Sequence, residues 1–187
     1  MAASAGNYRL GPDAGRVVIK TTRAGLAARV GHDLSIDVTR WSADVTVPEG
    51  GTDALAAATV AADLDLGSLV VRAGTGGARP LSDSDRRDIE STIRKILGSG
   101  GPGTATFRST RVIPSAGGGA IEGTLALNGR SQPVRLQLTA PAPGRYRGTV
   151  SVVQSAFGIK PYSGFFGALK LSDEVVAEFE VDLGRAV

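Results

Sequence analysis

Residues 121–138 read IEGTLALNGRSQPVRLQL, with apolar and polar positions alternating almost without error on either side of Asn128-Gly129. Asn-Gly accepts positive φ at both central positions of a type I′ turn, so it closes a two-residue hairpin and sets the register of both arms. Counting outward from the turn puts Gly123 opposite Val134 and Ile121 opposite Leu136 on one face, and Glu122 opposite Arg135 on the other. Apolar then meets apolar and opposite charges pair, as a correct register requires. The closing stretch repeats the pattern, with Val175, Ala177, Phe179, Val181 and Leu183 on one face and Val176, Glu178, Glu180 and Asp182 on the other. These are strands of an antiparallel sheet with one wet and one apolar face.

Working outward, eight strands are predicted: 16–22, 34–47, 59–72, 104–113, 120–127, 133–139, 145–154 and 174–183. In the second, Leu34, Ile36 and Val38 share a face, whereas Trp41, Ala43, Val45 and Val47 continue one residue out of phase. A bulge or bend at Thr39-Arg40 restores a common inner face and curves the sheet toward closure. One segment has helical spacing instead: Ile89, Ile93, Ile96 and Leu97, with Ser82 as N-cap, Asp83 and Asp85 in the first turn, and Gly98 and Gly100 as stops. Its apolar stripe needs a partner, and one end or side of a small barrel is the simplest. Residues 1–14 lack periodicity and read as a poorly ordered leader, and residues 15–187 as a single domain.

Composition narrows the chemistry. The chain has no cysteine, which removes disulfides, thiolate nucleophiles and thiolate metal ligands and fits a reducing, cytoplasmic location. Residues 1–7 show neither a basic nor an apolar signal region, and no run of about 18 apolar residues occurs to span a membrane as a helix. The net charge of +3 comes from scattered basic residues, mostly arginine, and describes a solvated surface. Gly98, Gly100 and Gly103 match G-x-G-x-x-G in letters but follow a helix and precede a strand, the reverse of a dinucleotide-binding turn.

Two features leave more than one reading open. The single histidine, His32, sits in Gly31-His32-Asp33-Leu34; it is read as a structural or pocket-mouth hydrogen-bonder, as a direct ligand contact, or as a general base on an apolar substrate. No spacing of Asp and Glu completes a metal site with it, so no metal is expected. Phe157, Tyr162, Phe165 and Phe166 lie in a glycine-punctuated stretch and either plug the barrel base or line the mouth of an apolar cavity. Lys160 and Lys170 beside them raise single-stranded nucleic-acid stacking, but no basic groove accompanies them and nucleic acid is not expected as a partner.

Gly31-His32-Asp33-Leu34, Phe107-Arg108-Ser109-Thr110, the hairpin from Leu127 to Val134, Phe157-Gly158-Ile159, and Leu171-Ser172-Asp173-Glu174-Val175, in that order, resemble the YceI-like family over residues 15–183. The resemblance implies an all-β fold, an eight-stranded antiparallel lipocalin-like barrel with one amphipathic helix. Its cavity holds an amphiphilic small molecule such as a polyisoprenoid, or in several members a quinone, and no catalytic residue. Many relatives carry a secretion signal, which residues 1–7 here do not provide. The connection after Arg87-Asp88 also departs from the family, being glycine-rich from Gly98 to Gly103.

With small residues such as Ala43, Ala62, Gly123, Gly148 and Ala177 predicted to face inward, the interior is expected to hold space. The expected ligand contacts are His32, Leu34, Ile36, Trp41, Phe107, Phe157, Ile159, Tyr162, Phe165, Phe166 and Phe179. Apart from a bound isoprenoid lipid or quinone no cofactor is expected. Two rival readings are an enzyme using His32, and a packed barrel acting as a protein-interaction module. The oligomeric state, a homodimer included, is left open.

Overall fold

The computed structural model describes residues 4–26, 28–50, 53–98 and 103–186, with the side chains of Asp53 and Phe165 outside that description. Its strands are β1 (Gly6–Leu10), β2 (Gly15–Thr21), β3 (Arg23–Ala24), β4 (Asp33–Val38), β5 (Trp41–Val47), β6 (Thr59–Asp65), β7 (Leu69–Thr75), β8 (Thr104–Ser115), β9 (Gly118–Leu127), β10 (Arg130–Ala142), β11 (Arg145–Val153), β12 (Ser163–Gly164), β13 (Leu169–Leu171) and β14 (Glu174–Asp182). One α-helix, α1 (Asp83–Gly98), stands between β7 and β8.

Eleven of these segments form one antiparallel sheet in the order β1-β5-β6-β8-β9-β10-β11-β14-β2-β4-β7. The excess over eight arises because three long strands are bent, each into two segments. β1 and β2 run along β5 and β4, and those in turn run along β6 and β7. Counted as continuous chains, eight strands wrap round the interior, and β14 pairing with β2 completes the circuit. Each apolar inner face is thereby turned toward the others, which is how a one-sided sheet removes its edges from water. β12, β13 and β3 form a separate small sheet.

The bend between β4 and β5 is at Thr39-Arg40, as the change of phase predicts. Leu34, Ile36 and Val38 before it and Trp41, Ala43 and Val47 after it are all buried. Ser68, in the matching turn between β6 and β7, fixes the corner. Its carbonyl accepts from Thr39 N (3.3 Å) and Oγ1 (2.8 Å), and its hydroxyl accepts from Arg40 N (2.9 Å) and donates to Asp65 O (2.7 Å). The hairpin register also agrees: Gly123↔Val134, Ile121↔Leu136 and Glu122↔Arg135, with φ of 53° at Asn128 and 73° at Gly129.

The start of the chain differs from expectation. Gly6–Leu10, placed by sequence in an unordered leader, is β1, paired residue by residue with β5, and Leu10 and Ala14 are buried in the core. Glycine, proline and a short apolar run hid a strand whose order comes from pairing with an existing edge rather than from its own periodicity.

Helix α1 begins as its sequence dictates. Ser82 Oγ accepts from Asp85 N (3.1 Å) and Asp85 Oδ2 accepts from Ser82 N (2.9 Å), a reciprocal cap that satisfies two free donors. Ile89, Ile93 and Leu97 pack on a buried cluster that includes Leu34, Ile36, Val38, Leu69 and Val71. β7 is the last strand of the ladder, and Glu90 Oε1 accepts from Val71 N (2.9 Å), so the helix covers that edge. The Gly100 stop lies outside the described residues.

Candidate functional site: an apolar cavity inside the barrel

Side-chain burial divides the interior into a solid part and a hollow part. Along β4 the inward residues are fully buried, alternating with half-buried ones. Along β10 the alternation is between exposed and half-buried, so Val134, Leu136 and Leu138 point inward yet keep accessible surface. Inward side chains that remain accessible border empty space. That space is a cavity of about 310 Å³, lined by residues from every strand of the barrel except β4 and β7 and from the turn after β5. Among the described residues its walls are apolar: Trp41 and Tyr146 are the only ones lining it with polar side-chain atoms, and no Asp, Glu, Lys, Arg or His takes part.

Small and flattened side chains keep the lumen open. Ala43, Ala62 and Ala177 line it as expected. Gly123 and Gly148 act differently: neither borders the cavity, and an aromatic ring is packed against each. A Cβ at Gly123 would overlap the Phe107 ring, and one at Gly148 would overlap Phe179, its cross-strand partner. The glycines thus leave room for two phenylalanine rings to pack against the sheet, an aromatic covering of glycine.

One end is sealed by Phe157 and Ile159, 2% and 4% exposed, which pack with Val152 and are flanked by Leu125, Leu127, Val175 and the helix residues Ile96 and Leu97. Three separated sequence motifs fasten this plug. Asn128 Nδ2, on the hairpin turn, donates to Phe157 O (3.0 Å), and Gln132 Nε2 donates to Ala156 O (3.1 Å). Asp173 accepts from the backbone N–H (2.8 Å) and the hydroxyl of Ser155, and Gln154 Nε2 donates to Ser172 O (3.0 Å). Gly158, at φ 71°, makes the left-handed turn that separates the two plug residues. Among the described residues the opposite end has no aromatic plug. It is bounded by Leu55, Ala58, Ile113, Pro114 and Leu138, all half-buried.

Of the expected contacts, Trp41, Phe107 and Phe179 lie on the cavity wall. Leu34 and Ile36 instead belong to the solid core under α1, because the bend turns β4 away from the hollow half. Phe157 and Ile159 form the plug beyond the cavity end, while Tyr162 and Phe166 are exposed and line nothing. Phe157 is thus buried at the end of the barrel, and neither Tyr162 nor Phe166 borders the cavity. The side chain of Phe165 lies outside the described residues.

His32 is away from the cavity too. Its Nε2 sits 2.7 Å from Arg79 O, and since a carbonyl only accepts, the proton is on that nitrogen. Around it, Arg23 donates through Nη1 to Gly31 O (2.8 Å) and Thr75 O (3.2 Å), and Asp33 Oδ1 accepts from Arg23 N (2.8 Å). Gly31-His32-Asp33 is thus a fastening between the β3–β4 and β7–α1 connections, and His32 is not among the residues that line the apolar cavity. The interior is hollow rather than filled by side chains, as the packed-barrel reading would have it. Among the described residues no group of three or more His, Cys, Asp or Glu could hold a metal, and no helix is long and apolar enough to cross a membrane.

The wall residues that sequence reasoning missed, among them Val134, Leu136, Val150 and Val181, carried a signal in their alternation. What the alternation lacks is any mark distinguishing an inward residue that meets a neighbour from one that meets a void.

Comparison with known proteins agrees with this architecture. A search of curated protein sequences finds no match. Among solved structures, Burkholderia cenocepacia BcnA superposes with a TM-score of 0.62 at 16% identity, covering 89% of this chain and 94% of that one. A mutant CJ YceI protein gives 0.54 at 13% identity, covering 79% and 82%. A second CJ mutant, crystallised with a monobromobimane guest, gives 0.50 at 12% identity, covering 79% and 83%. At these identities the likeness is one of fold. The family model for the YceI-like domain matches residues 8–183, nearly the whole chain. The chain belongs to the YceI-like family.

Proposed function

We propose that this protein binds, and stores or carries, a long apolar tail such as that of a polyisoprenoid or an isoprenoid quinone, held along the barrel between the Phe157 plug and the opposite end. The observation that carries the reading is the lining: about 310 Å³ of space inside the barrel with, among the described residues, no ionisable acid or base other than the Tyr146 phenol on its wall. Such a space offers little to a polar substrate, which would lose its hydration and find few partners. An apolar tail loses no hydrogen bonds on entry and contributes about 0.8 kcal/mol per buried methylene. The volume lies at the lower end of the range of about 300–1,000 Å³ typical of small-molecule sites, and eight-stranded barrels hold one small ligand.

Native mass spectrometry of the purified protein, followed by organic extraction and analysis of the extract, tests the reading. The expected result is a protein-bound mass that extracts as an isoprenoid or comparable long-chain lipid. A protein that takes up no long-chain lipid even when incubated with a polyprenol or quinone would overturn it.

A further inference from the structure

At the plugged end, two loops present apolar side chains to water. Leu26 is 99% exposed and Phe166 112%, and Val30 and Tyr162 on the same loops are also exposed. The loops are neighbours, since β3 pairs with β13 through Arg23↔Leu171 and Ala24↔Lys170, and β13 pairs with β12. A Cβ at Gly25 would touch the backbone of Ala168, and one at Gly31 the side chain of Leu169. Phe166 is also held at φ 54°, ψ 33°, a left-handed conformation uncommon for a bulky residue and a recognised mark of functional positions.

The charge of the patch is one-sided. Residues 22–32 and 158–172 contain Arg23, Arg29, Lys160 and Lys170 and not one Asp or Glu. Arg23 is occupied with Asp33. Arg29, Lys160 and Lys170 are exposed, and among the described residues none of them forms an ion pair, although ten arginines elsewhere do.

The geometry points to a docking surface for an anionic lipid bilayer, with Leu26 and Phe166 entering the headgroup region and Arg29, Lys160 and Lys170 lying over the acidic headgroups. Protruding apolar tips within a basic rim are the chemistry of interfacial binding. A second copy fits poorly, because joining two such patches sets cations against cations with no acid between them. A nucleic acid fits less well, because the tips include aliphatic Leu26 and Val30 and the cations form no track along a groove. The bilayer also lies against the segment that leads directly from the Phe157–Ile159 plug. The inference rests on the loops alone and stands apart from the tail-binding reading.

Co-sedimentation of the full chain with phosphatidylglycerol–phosphatidylcholine vesicles tests it, with pure phosphatidylcholine vesicles alongside. The expected result is partition onto the anionic vesicles that falls with added salt. Each basic residue near such a surface is worth about fivefold, so Lys160→Gln with Lys170→Gln should lower partition about thirty-fold. Phe166→Ser with Leu26→Ser should abolish it while far-UV circular dichroism stays unchanged. No partition, partition indifferent to lipid charge and salt, or partition unchanged in both variants would overturn the proposal. So would self-association, or binding of a single-stranded oligonucleotide, lost in Phe166→Ser, since the face would then belong to that partner. Lipid extracted from the barrel in solution has no bearing on these outcomes.

Discussion

Gly148→Ala tests whether the hollow is kept open by aromatic rings lying on glycine. The added methyl overlaps Phe179 Cζ and Cε1 and comes within 2.9 Å of Gln137 O. The backbone cannot retreat, since Gly148 is laddered to Leu138 on one side and to Phe179 on the other. The ring can, because Phe179 borders the cavity. Turning it inward costs about 1–3 kcal/mol as an overpacking substitution, with the lower end expected where empty space receives the ring. If the displaced ring takes the room of about three methylenes, a bound tail loses about 2.4 kcal/mol, or about 60-fold in affinity. Titration of a fluorescent long-chain isoprenoid reads the affinity and urea unfolding the stability. Combining Gly148→Ala with Phe179→Leu removes the clash, so the pair should bind more tightly than Gly148→Ala alone. Unchanged affinity in Gly148→Ala, or a double variant no better than the single, would refute the reasoning.

Asn128→Ala loses both the residue that accepts φ 53° and the donor to Phe157 O, and should cost about 2–3 kcal/mol; Asn128→Gly keeps the turn and should cost about 1, and equal losses in urea titration would count against the clamp. Glu90→Ala should cost about 1–3 kcal/mol by leaving Val71 N–H without its acceptor at the β7 edge, whereas Glu90→Gln keeps an acceptor and should melt close to the parent. The Arg40 guanidinium and the Gly67 N–H hold the Asp65 carboxyl below its ordinary 3.8. The stability this contributes is present above pH of about 3.8 and lost as pH falls through the lowered value, so Asp65→Asn should flatten the acid limb of a stability–pH curve; an unaltered limb would show that the corner carries none of it.

How much was legible can be argued residue by residue. The hairpin at Asn128-Gly129, the bend at Thr39-Arg40 and the cap at Ser82 all rest on local chemistry that a sequence displays directly: positive φ, a change of phase, a hydroxyl before a first turn. β1 was not legible, because Gly6–Leu10 is a strand only by virtue of β5 beside it. Trp41, Phe107 and Phe179 could be picked as inward-facing from alternation, and they reach the wall. Leu34 and Ile36 alternate equally well but face a solid core, and nothing in their own segment reveals that α1 fills that half. Gly148 and Phe179 read as space and bulk separately; that one cancels the other is a property of register. Likewise, the motifs around Asn128, Phe157 and Asp173 are far apart in sequence, and their joint role as plug and fastening exists only once the barrel closes.

Affinity measured across a chain-length series of otherwise identical amphiphiles, by displacement of a fluorescent lipid, tests most directly whether the hollow is a tail-binding site. At about 0.8 kcal/mol per methylene, each added carbon should tighten binding about fourfold until the space between the Phe157 plug and the opposite end is filled, and further carbons should add little. Affinity that depends on the headgroup and ignores tail length would contradict the assignment of the cavity as the binding site.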